Sequence, residues 1–306
     1  MIVSRHLYHY SPTLCVRELV QLHEAHADRT ALSVIGTSVL GQPLYALRMG
    51  NPYADTRVLI QASMHGREWI NTQLVMAQIE DYLSEDKYAD LLKRTCLLFI
   101  PMINPDGVRI AQEGADWIDD ADARALVQRL IDESDEKHDQ WKSNGRGVDL
   151  NRNFDAQWHI AFDPRETAGP GYSAYRGECP ASEPESKALL AITAEFDPTV
   201  TLSYHSRGEY VYWFFHQEGD DLIRDEKIAL RLAEISGYAV TRKEVVSVDS
   251  GGGYKDWCVE KLHIPAFTIE NGADEWGIPV PHGRFDEVYK KAKDLTAEAA
   301  MSPCSN

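Results

Sequence analysis

The sequence lacks long apolar runs and closely spaced cysteines. None of its 306 residues belongs to an uninterrupted apolar stretch of about 18 residues, so no membrane-spanning helix is predicted. The cysteines are odd in number and scattered, with no C-x-x-C pair: Cys15, Cys96, Cys179, Cys258 and Cys304. This pattern indicates free thiols in a reducing compartment. Ligation of zinc by these thiolates is the less favoured alternative, because paired spacing is missing.

Positive charge is also scarce. Lys and Arg number 31 against 48 Asp and Glu, which gives a net charge of −17. Such a surface disfavours nucleic acids and anionic membranes as partners. Residues 1–14 lack the apolar core of a secretion signal, so we expect a cytoplasmic protein. The alternative is an extracellular or periplasmic protein whose leader was removed.

Linkers and internal repeats are missing as well. Pro, Gly and Ser are spread along the chain rather than gathered into one stretch. We therefore predict a single domain over residues 1–306, in which residues 1–30 form a helical lead-in.

What the sequence does contain is an alternation of strand and helix patterns. Apolar runs predict buried strands at 58–62, 96–102, 199–204 and 264–269. Segments with helical spacing lie between them, for example 69–83 and 183–196. The alternation predicts an α/β fold with a largely parallel sheet covered on both faces.

Four further segments complete the prediction. Residues 31–36 and 44–49 read as a hairpin, and residues 103–107 as a turn. Residues 284–300 are predicted to form one closing helix. The acidic segment 116–139 is predicted to be a surface helix flanked by loop, and its sequence indicates no function.

The stretch RVLIQASMHGREW, residues 57–69, carries the first chemical signal. A buried strand runs into a tight turn that presents His65 and Glu68 three residues apart. In a turn or helix, positions i and i+3 lie on one side, so both side chains can bind one cation. We interpret them as two of three protein ligands to zinc. A bare H-x-x-E also fits an ordinary exposed turn.

Two more candidates follow predicted strands. His205 and Glu270 each stand just past the C-terminal end of an apolar run, at the edge where open α/β sheets bind ligands. A hydrolytic zinc site has three protein ligands and an open position for water. His205 would supply the third ligand and Glu270 the general base. The alternative for Glu270 is a strand-end carboxylate that pairs with a Lys or Arg.

A polar loop over residues 141–154 supplies groups for binding an acidic substrate. Arg146, Asn151 and Arg152 lie in it, and guanidinium groups suit carboxylates and developing oxyanions. Asp149 could hold the second ring nitrogen of a zinc-bound histidine. The alternative for all four is a solvated loop.

Taken together, these segments resemble the zinc carboxypeptidase family, the M14 metallocarboxypeptidases. Six motifs occur in the family's order: HGRE at 65–68, NPDG at 104–107, GVDLNRNF at 147–154, YHS at 204–206, GGG at 251–253 before DW, and FTIE at 267–270. The resemblance implies a three-layer α/β/α sandwich with a mixed, mostly parallel eight-stranded sheet.

The resemblance also implies a role for each motif residue. One zinc ion would be bound by His65, Glu68 and His205. Glu270 would act as general base and then as the acid that protonates the leaving amine. Asp149 would orient His65.

The remaining roles concern the substrate. Asn151 and Arg152 would bind its free carboxylate, and Arg67 would contact it. Arg146 is our choice for the cation that stabilises the oxyanion, with Lys142 as the alternative.

Two departures from the digestive members affect substrate binding. Those enzymes carry a mobile tyrosine before the Gly-rich turn, whereas residues 246–250 here contain none. Tyr254 is the candidate replacement. Lys255 stands at the position that lines the family's side-chain pocket, where it would favour an acidic group; the alternative is a surface lysine.

Further pieces resemble the bacterial γ-D-glutamyl-diamino-acid peptidases, among them Trp141-Lys142 and Ser182-Glu183-Pro184-Glu185. The resemblance implies hydrolysis of the γ-D-glutamyl-diaminopimelate bond in murein peptides. One alternative is a metallocarboxypeptidase that removes a C-terminal amino acid, for example an acidic one. Another is a non-catalytic protein that binds zinc and peptide.

Overall fold

Eight strands form one sheet in the computed structural model, which describes residues 1–160, 167–243 and 251–302. The strands are β1 (Thr30–Thr37), β2 (Pro43–Gly50), β3 (Thr56–Ala62), β4 (Thr95–Ile100), β5 (Val200–His205), β6 (Tyr210–Tyr212), β7 (Ala239–Val240) and β8 (Ala266–Glu270). Their order across the sheet is β1-β2-β4-β3-β5-β8-β6-β7.

The sheet is mixed. Strands β4, β3, β5 and β8 run parallel to one another in its centre, whereas β1, β2 and β6 each pair antiparallel with a neighbour. The predicted hairpin is β1 and β2, in which Thr30 faces Met49. A central parallel core with antiparallel flanks confirms the predicted fold class, and it brings the C-terminal ends of β3, β5 and β8 to one edge.

The helices connect the strands and cover the sheet. They are α1 (Pro12–Ala25), α2 (Ile70–Ser84), α3 (Ala89–Arg94), α4 (Pro105–Glu113), α5 (Ala121–Glu133), α6 (Pro184–Phe196), α7 (Gly219–Ser236), α8 (Tyr254–Trp257), α9 (Phe285–Ala292) and α10 (Leu295–Met301). One turn of π-helix, Cys258–Leu262, extends α8.

Two apolar cores lie on opposite faces of the sheet. Because side chains alternate along a strand, Val58 and Ile60 of β3 point to one face and Leu59 to the other. The first face packs against α1, α2, α7, α9 and α10. The second packs against α6 and α8. This arrangement gives the three layers that the sequence predicted.

Three elements differ from the prediction. The segment 103–107 contains the start of helix α4, because Asn104 caps the helix by accepting a hydrogen bond from the Gly107 amide and Pro105 fits its first turn. The predicted closing helix is interrupted between Ala292 and Leu295. The apolar run 209–215 predicts a strand, of which only β6, Tyr210–Tyr212, is formed.

No helix among the described residues is long and apolar enough to cross a membrane.

Candidate active site

Three buried side chains converge at the C-terminal edge of the parallel strands. His65 Nδ1 lies 2.8 Å from Glu68 Oε1, and His205 Nδ1 lies 3.1 Å from both His65 Nδ1 and Glu68 Oε2. One donor atom from each residue falls within 4.8 Å of the others. We call His65, Glu68 and His205 the ligand cluster.

The backbone around residue 65 explains why His65 and Glu68 meet. After β3 the chain makes a short 3-10 turn, Gly66–Glu68, in which the Glu68 amide donates to the His65 carbonyl at 3.1 Å. Asn104 fastens this turn, because its Nδ2 donates to the carbonyls of Met64 and Ser143. The NPDG motif therefore supports the HGRE motif directly.

His205 reaches the cluster from the neighbouring strand. It ends β5, which pairs in parallel with β3 on one side and β8 on the other. The Ser206 amide points to Glu68 Oε2 at 3.3 Å. Glu68 and His205, 137 residues apart in sequence, thus share one small volume with His65.

The protonation states of His65 and Glu68 suit metal ligation. At His205, burial lowers the pKa, but the hydrogen bond and charge of Glu68 outweigh it and raise the pKa. Burial lowers the pKa of His65, which favours the neutral ring. Burial would raise the pKa of Glu68, but the two imidazoles outweigh it and hold that pKa below its ordinary value. A neutral imidazole and an ionised carboxylate are the forms that bind a cation.

Asp149 fixes the orientation of one ring. Its Oδ1 lies 3.3 Å from His65 Nε2, a distance that favours the tautomer with the proton on this nitrogen and the Nδ1 lone pair free for the cluster. Burial opposes ionisation of Asp149, but the Lys142 ammonium, 2.9 Å away, and His65 hold its pKa well below the ordinary value. The donor set and its orienting carboxylate fit zinc.

Glu270 stands beside the cluster. It ends β8 directly opposite His205 in the strand register and is partly exposed. Burial raises the pKa of Glu270 to about 7, and the charges of His205, Lys142 and Arg67 act in the opposite direction. A carboxylate with a pKa near neutrality can both accept and return a proton.

Comparison with known proteins agrees with this geometry. The family described as zinc carboxypeptidase, Peptidase_M14, matches residues 15–294. The chain belongs to the zinc carboxypeptidase family. The chain is 32% identical to "Gamma-D-glutamyl-L-diamino acid endopeptidase 1" of Lysinibacillus sphaericus over 84% of this chain and 64% of that protein. It therefore spans somewhat less than two thirds of that relative.

Solved structures show the same fold. Bovine thrombin-activatable fibrinolysis inhibitor matches with a TM-score of 0.77 at 20% identity and covers 97% of each chain. Murein-tripeptide amidase MpaA of Escherichia coli O157 matches with a TM-score of 0.57 at 22% identity, over 89% of this chain and 93% of that one. Family membership and the peptidase-named relative support a metallopeptidase hydrolase.

Within this zinc carboxypeptidase fold, Lys142 rather than Arg146 lies next to the ligand cluster. The Lys142 ammonium contacts Asp149, and its charge influences the pKa values of His65, His205 and Glu270. The Lys142 carbonyl accepts a hydrogen bond from the Gly66 amide at 3.1 Å, which keeps the two segments together.

The structure contradicts the placement that the sequence predicted for Arg146. Its guanidinium lies 3.4 Å from Glu183 Oε2, and its side chain is 53% exposed. It lines a separate cavity of about 550 Å³ together with Trp117 and Leu126. The cause is a tight turn in which Asn144 Oδ1 accepts hydrogen bonds from the amides of Arg146 and Val148.

The Gly-rich turn holds the predicted carboxylate clamp. Asn151 Oδ1 accepts a hydrogen bond from the Tyr254 amide at 3.1 Å, and Arg152 Nε lies 3.7 Å from Asp149. A Cβ on Gly252 would stand 2.6 Å from the Arg152 carbonyl oxygen, so only glycine permits this approach. Asn151 and Arg152 are thereby brought to the start of α8.

Arg67 directly precedes Glu68 in the 3-10 turn. Its Nη1 donates to the Gln140 carbonyl at 3.4 Å, and its charge lowers the pKa of Glu270. The side chain is only partly buried. Arg67 therefore lies near Glu270, and its role as a substrate contact stays a prediction.

The structure contradicts Tyr254 as a replacement for the mobile tyrosine. Its side chain is fully buried, its hydroxyl lies 2.8 Å from Thr193 Oγ1, and its ring stacks on Trp257. Burial raises its pKa well above the ordinary value. Tyr254 is a core residue because α8 packs it against α6. The tyrosine-free segment 246–250 lies outside the described residues.

Lys255 is not a surface residue. Its side chain is only 11% exposed and forms an ion pair with Asp256. Its Nζ donates to the Phe214 carbonyl at 3.0 Å and lies over the Phe215 ring. The surface-lysine alternative is therefore wrong, and the charge of Lys255 is matched by a neighbouring carboxylate.

Sequence reasoning missed the residues that support the site from behind. Asn71 and Asn271 form a buried amide pair, and Glu183 anchors the loop through Asn144. Asn271 directly follows Glu270, which could have drawn attention to it. Asn71 carries no such sign, because a single polar residue in a helix has no defined partner in the sequence.

Proposed function

We propose that the protein is a zinc-dependent metallopeptidase that hydrolyses an amide bond next to a free carboxylate, with the γ-D-glutamyl-diaminopimelate bond of murein peptides as its target. The ligand cluster with Glu270 beside it carries the proposal. The named relative from Lysinibacillus sphaericus supports the choice of bond.

In this proposal one zinc ion is held by the three residues of the ligand cluster. Bound there, zinc supplies Lewis-acid chemistry and makes water more acidic. Asp149 keeps the His65 ring in the orientation that presents Nδ1.

Glu270 is the proposed proton carrier. It accepts a proton from the attacking water and returns it to the leaving amine as the C–N bond breaks. Glu270 pairs with His205 in the strand register, and this position fits both steps. One carboxylate beside the ligand cluster can accept the proton of the attacking water and then donate it to the leaving amine.

Lys142 takes over the oxyanion role that the sequence suggested for Arg146. Its ammonium contacts Asp149, which lies against His65 of the ligand cluster, whereas Arg146 lies against Glu183 and lines a separate cavity. A fixed cation next to the carbonyl oxygen lowers the energy of the negative charge that develops during attack.

The substrate contacts remain those that the family resemblance implies. Asn151 and Arg152 would bind the free carboxylate, and Arg67 would contact the chain on the other side of the scissile bond. Lys255, which is paired with Asp256 at the start of α8, would be the contact for an acidic group of the substrate.

A direct assay tests the choice of substrate. Zinc-loaded protein is incubated with L-Ala-γ-D-Glu-diaminopimelate and, separately, with α-linked peptides that end in acidic, basic or apolar residues. Release of diaminopimelate is expected from the first substrate. Hydrolysis of α-linked peptides alone would favour the carboxypeptidase alternative, and no hydrolysis in a fully loaded protein would favour the non-catalytic one.

A pair of variants tests the assignment of the cation. Lys142→Met is expected to lower kcat by about 10²–10³, the usual effect of removing one oxyanion donor. Arg146→Met, the matched control from the same loop, is expected to stay within about threefold of wild type. Zinc content is measured in both, since Lys142 also contacts Asp149. The reverse ranking would return the role to Arg146.

We also propose a cytoplasmic role in the recycling of murein peptides, with small peptides that carry free carboxylates as the substrates. Fractionation of the source cells, with antibody detection, tests the location. Enrichment outside the cytoplasm would favour the exported alternative.

A further inference from the structure

Three buried polar side chains connect separate elements behind the sheet edge that carries the ligand cluster and Glu270. Asn271 Nδ2 donates to Asn71 Oδ1 at 2.8 Å, and the Tyr238 hydroxyl donates to Asn271 Oδ1 at 2.9 Å. Asn71 and Asn271 are fully buried and Tyr238 is nearly so. We call these residues the asparagine bridge.

The bridge lies directly behind Glu270. Successive residues of a strand point to opposite faces, so Glu270 faces the ligand cluster while Asn271 faces the helices on the other side. The Asn271 amide donates to the His205 carbonyl at 2.8 Å. Three hydrogen bonds, two of the side chain and one of the backbone amide, thus hold Asn271 in place.

The bridge also connects the elements that carry the site. Asn71 lies in the first turn of α2, three residues after Glu68. Asn271 follows Glu270 and is bonded to the backbone of His205. Tyr238 precedes β7 at the far side of the sheet. The Asn271 side chain therefore links α2, which begins shortly after Glu68, to the end of β8, where Glu270 lies.

We propose that Asn271 is a positioning residue that holds Glu270 at a fixed distance from the ligand cluster. The inference rests on the proposed role of Glu270 as base. Packing alone gives no reason for two amides and a phenol here, since apolar side chains fill such space without the need for partners. A misplacement of about 1 Å can cost about 10²-fold in rate, so fixing the strand end has a catalytic consequence.

The test uses the zinc-loaded protein and whichever peptide the wild type cleaves. Tyr238→Phe removes one hydrogen bond to the bridge and is expected to lower kcat about three- to tenfold. Asn271→Ala removes all side-chain contacts and is expected to lower kcat about 10²-fold. KM and zinc affinity are expected to stay within about twofold of wild type, because the ligands and the substrate clamp are untouched.

Tyr82→Phe is the matched control. Tyr82 is also a buried tyrosine on this face, but its hydroxyl bonds to the backbone of Lys293 and Ala297, away from Glu270. It is expected to lower Tm as much as Tyr238→Phe and to leave kcat unchanged. Equal kcat in the two variants would overturn the inference and leave the bridge a stability feature.

Two further measurements separate this inference from the proposed function. Glu270→Gln shows whether Glu270 is the base at all; activity near wild type would refute the base but not the bridge. A crystal structure of Tyr238→Phe or Asn271→Ala reports the bridge by itself. A displaced Glu270 carboxylate supports the positioning role, and an unmoved one overturns it. If Asn271→Ala does not fold, Asn71→Ala takes its place.

Discussion

At the scale of single residues, Asp149 shows how a buried carboxylate prepares a ligand. It contacts His65 Nε2 and is itself held ionised by Lys142. Asp149→Asn keeps the shape but can present an amide group to the ring, which removes the fixed orientation. We expect zinc affinity to fall about 10–100-fold, measured by competition with a chelator of known affinity.

Asp155→Asn is the control for this prediction. Asp155 is an exposed carboxylate a few residues further along the same loop. Its replacement is expected to leave zinc affinity unchanged. Equal affinities in the two variants would show that Asp149 has no influence on the ligand.

Glu270 gives a prediction about pH. A general base works when it is deprotonated, so kcat/KM is expected to fall as the pH drops through its pKa. Burial raises that pKa to about 7 in the protein without metal, and a bound cation would lower it toward the ordinary value. The acidic limb of kcat/KM is therefore expected between about pH 4.5 and 7. A midpoint above 7, or no acidic limb, would contradict the assignment.

At the scale of elements, the contact between α4 and the neighbouring loop is a tight part of the support. A Cβ on Gly107 would lie 2.4 Å from the Ser143 carbonyl oxygen and 2.5 Å from Asn104 Nδ2. Gly107→Ala must therefore displace the segment that fastens the HGRE turn. We expect a loss of about 1–3 kcal/mol in stability, seen as a lower Tm.

Gly283→Ala is the matched substitution without a clash. A Cβ there meets no atom within 4 Å, and the residue lies in a short 3-10 turn. Its Tm is expected to stay close to wild type. A similar Tm for both variants would mean that α4 adjusts to the added methyl group.

The elements also show where local patterns mislead. Asn-Pro-Asp-Gly reads as a turn by composition, yet Asn104 and Pro105 begin α4. The same residue types favour turns and helix starts, since both use side-chain oxygens to bind free amides. Strands β3, β4, β5 and β8 were predictable because each is a continuous apolar run. Such runs are buried on both faces at the centre of a sheet.

At the scale of the whole molecule, two buried carboxyl groups make stability depend on pH. Burial raises the pKa of Glu185 to about 7, with the charge of Asp106 adding to the effect, and raises the pKa of Asp106 to about 6. The folded state therefore favours the protonated forms. The stability that they contribute is complete below about pH 4 and is lost as the pH rises through 6 to 7.

Glu185→Gln removes one of these titrations. Between pH 5 and pH 8 it is expected to lose about 1–3 kcal/mol less stability than wild type, in chemical denaturation at both pH values. The amide cannot accept both hydrogen bonds that the Glu185 oxygens take from the Val39 amide and Asn144 Nδ2, which lowers its stability equally at both pH values. Glu195→Gln, an exposed site on the same helix, is the control and should match wild type throughout. A stability difference that does not change with pH would contradict the assignment.

The sequence by itself determined the fold class and the three cluster residues. His65 and His205 each stand at the end of a strong apolar run, and Glu68 lies three residues after His65. Local pattern and topology therefore place all three at the same edge of the sheet. Asp149 was also predictable, because its motif, GVDLNRNF, occurs in the family's order among the six motifs. These features depend on short spacing and on the burial of apolar strands.

Only the tertiary structure decided the direction of side chains in the polar segments. Arg146 turns to Glu183, 37 residues away, and Tyr254 to Thr193, 61 residues away. Lys142 thereby becomes the cation beside the ligand cluster, and Asn271 finds Asn71 across 200 residues. A polar side chain takes the direction of its best partner, and when that partner is distant in sequence, only the folded chain brings the two together.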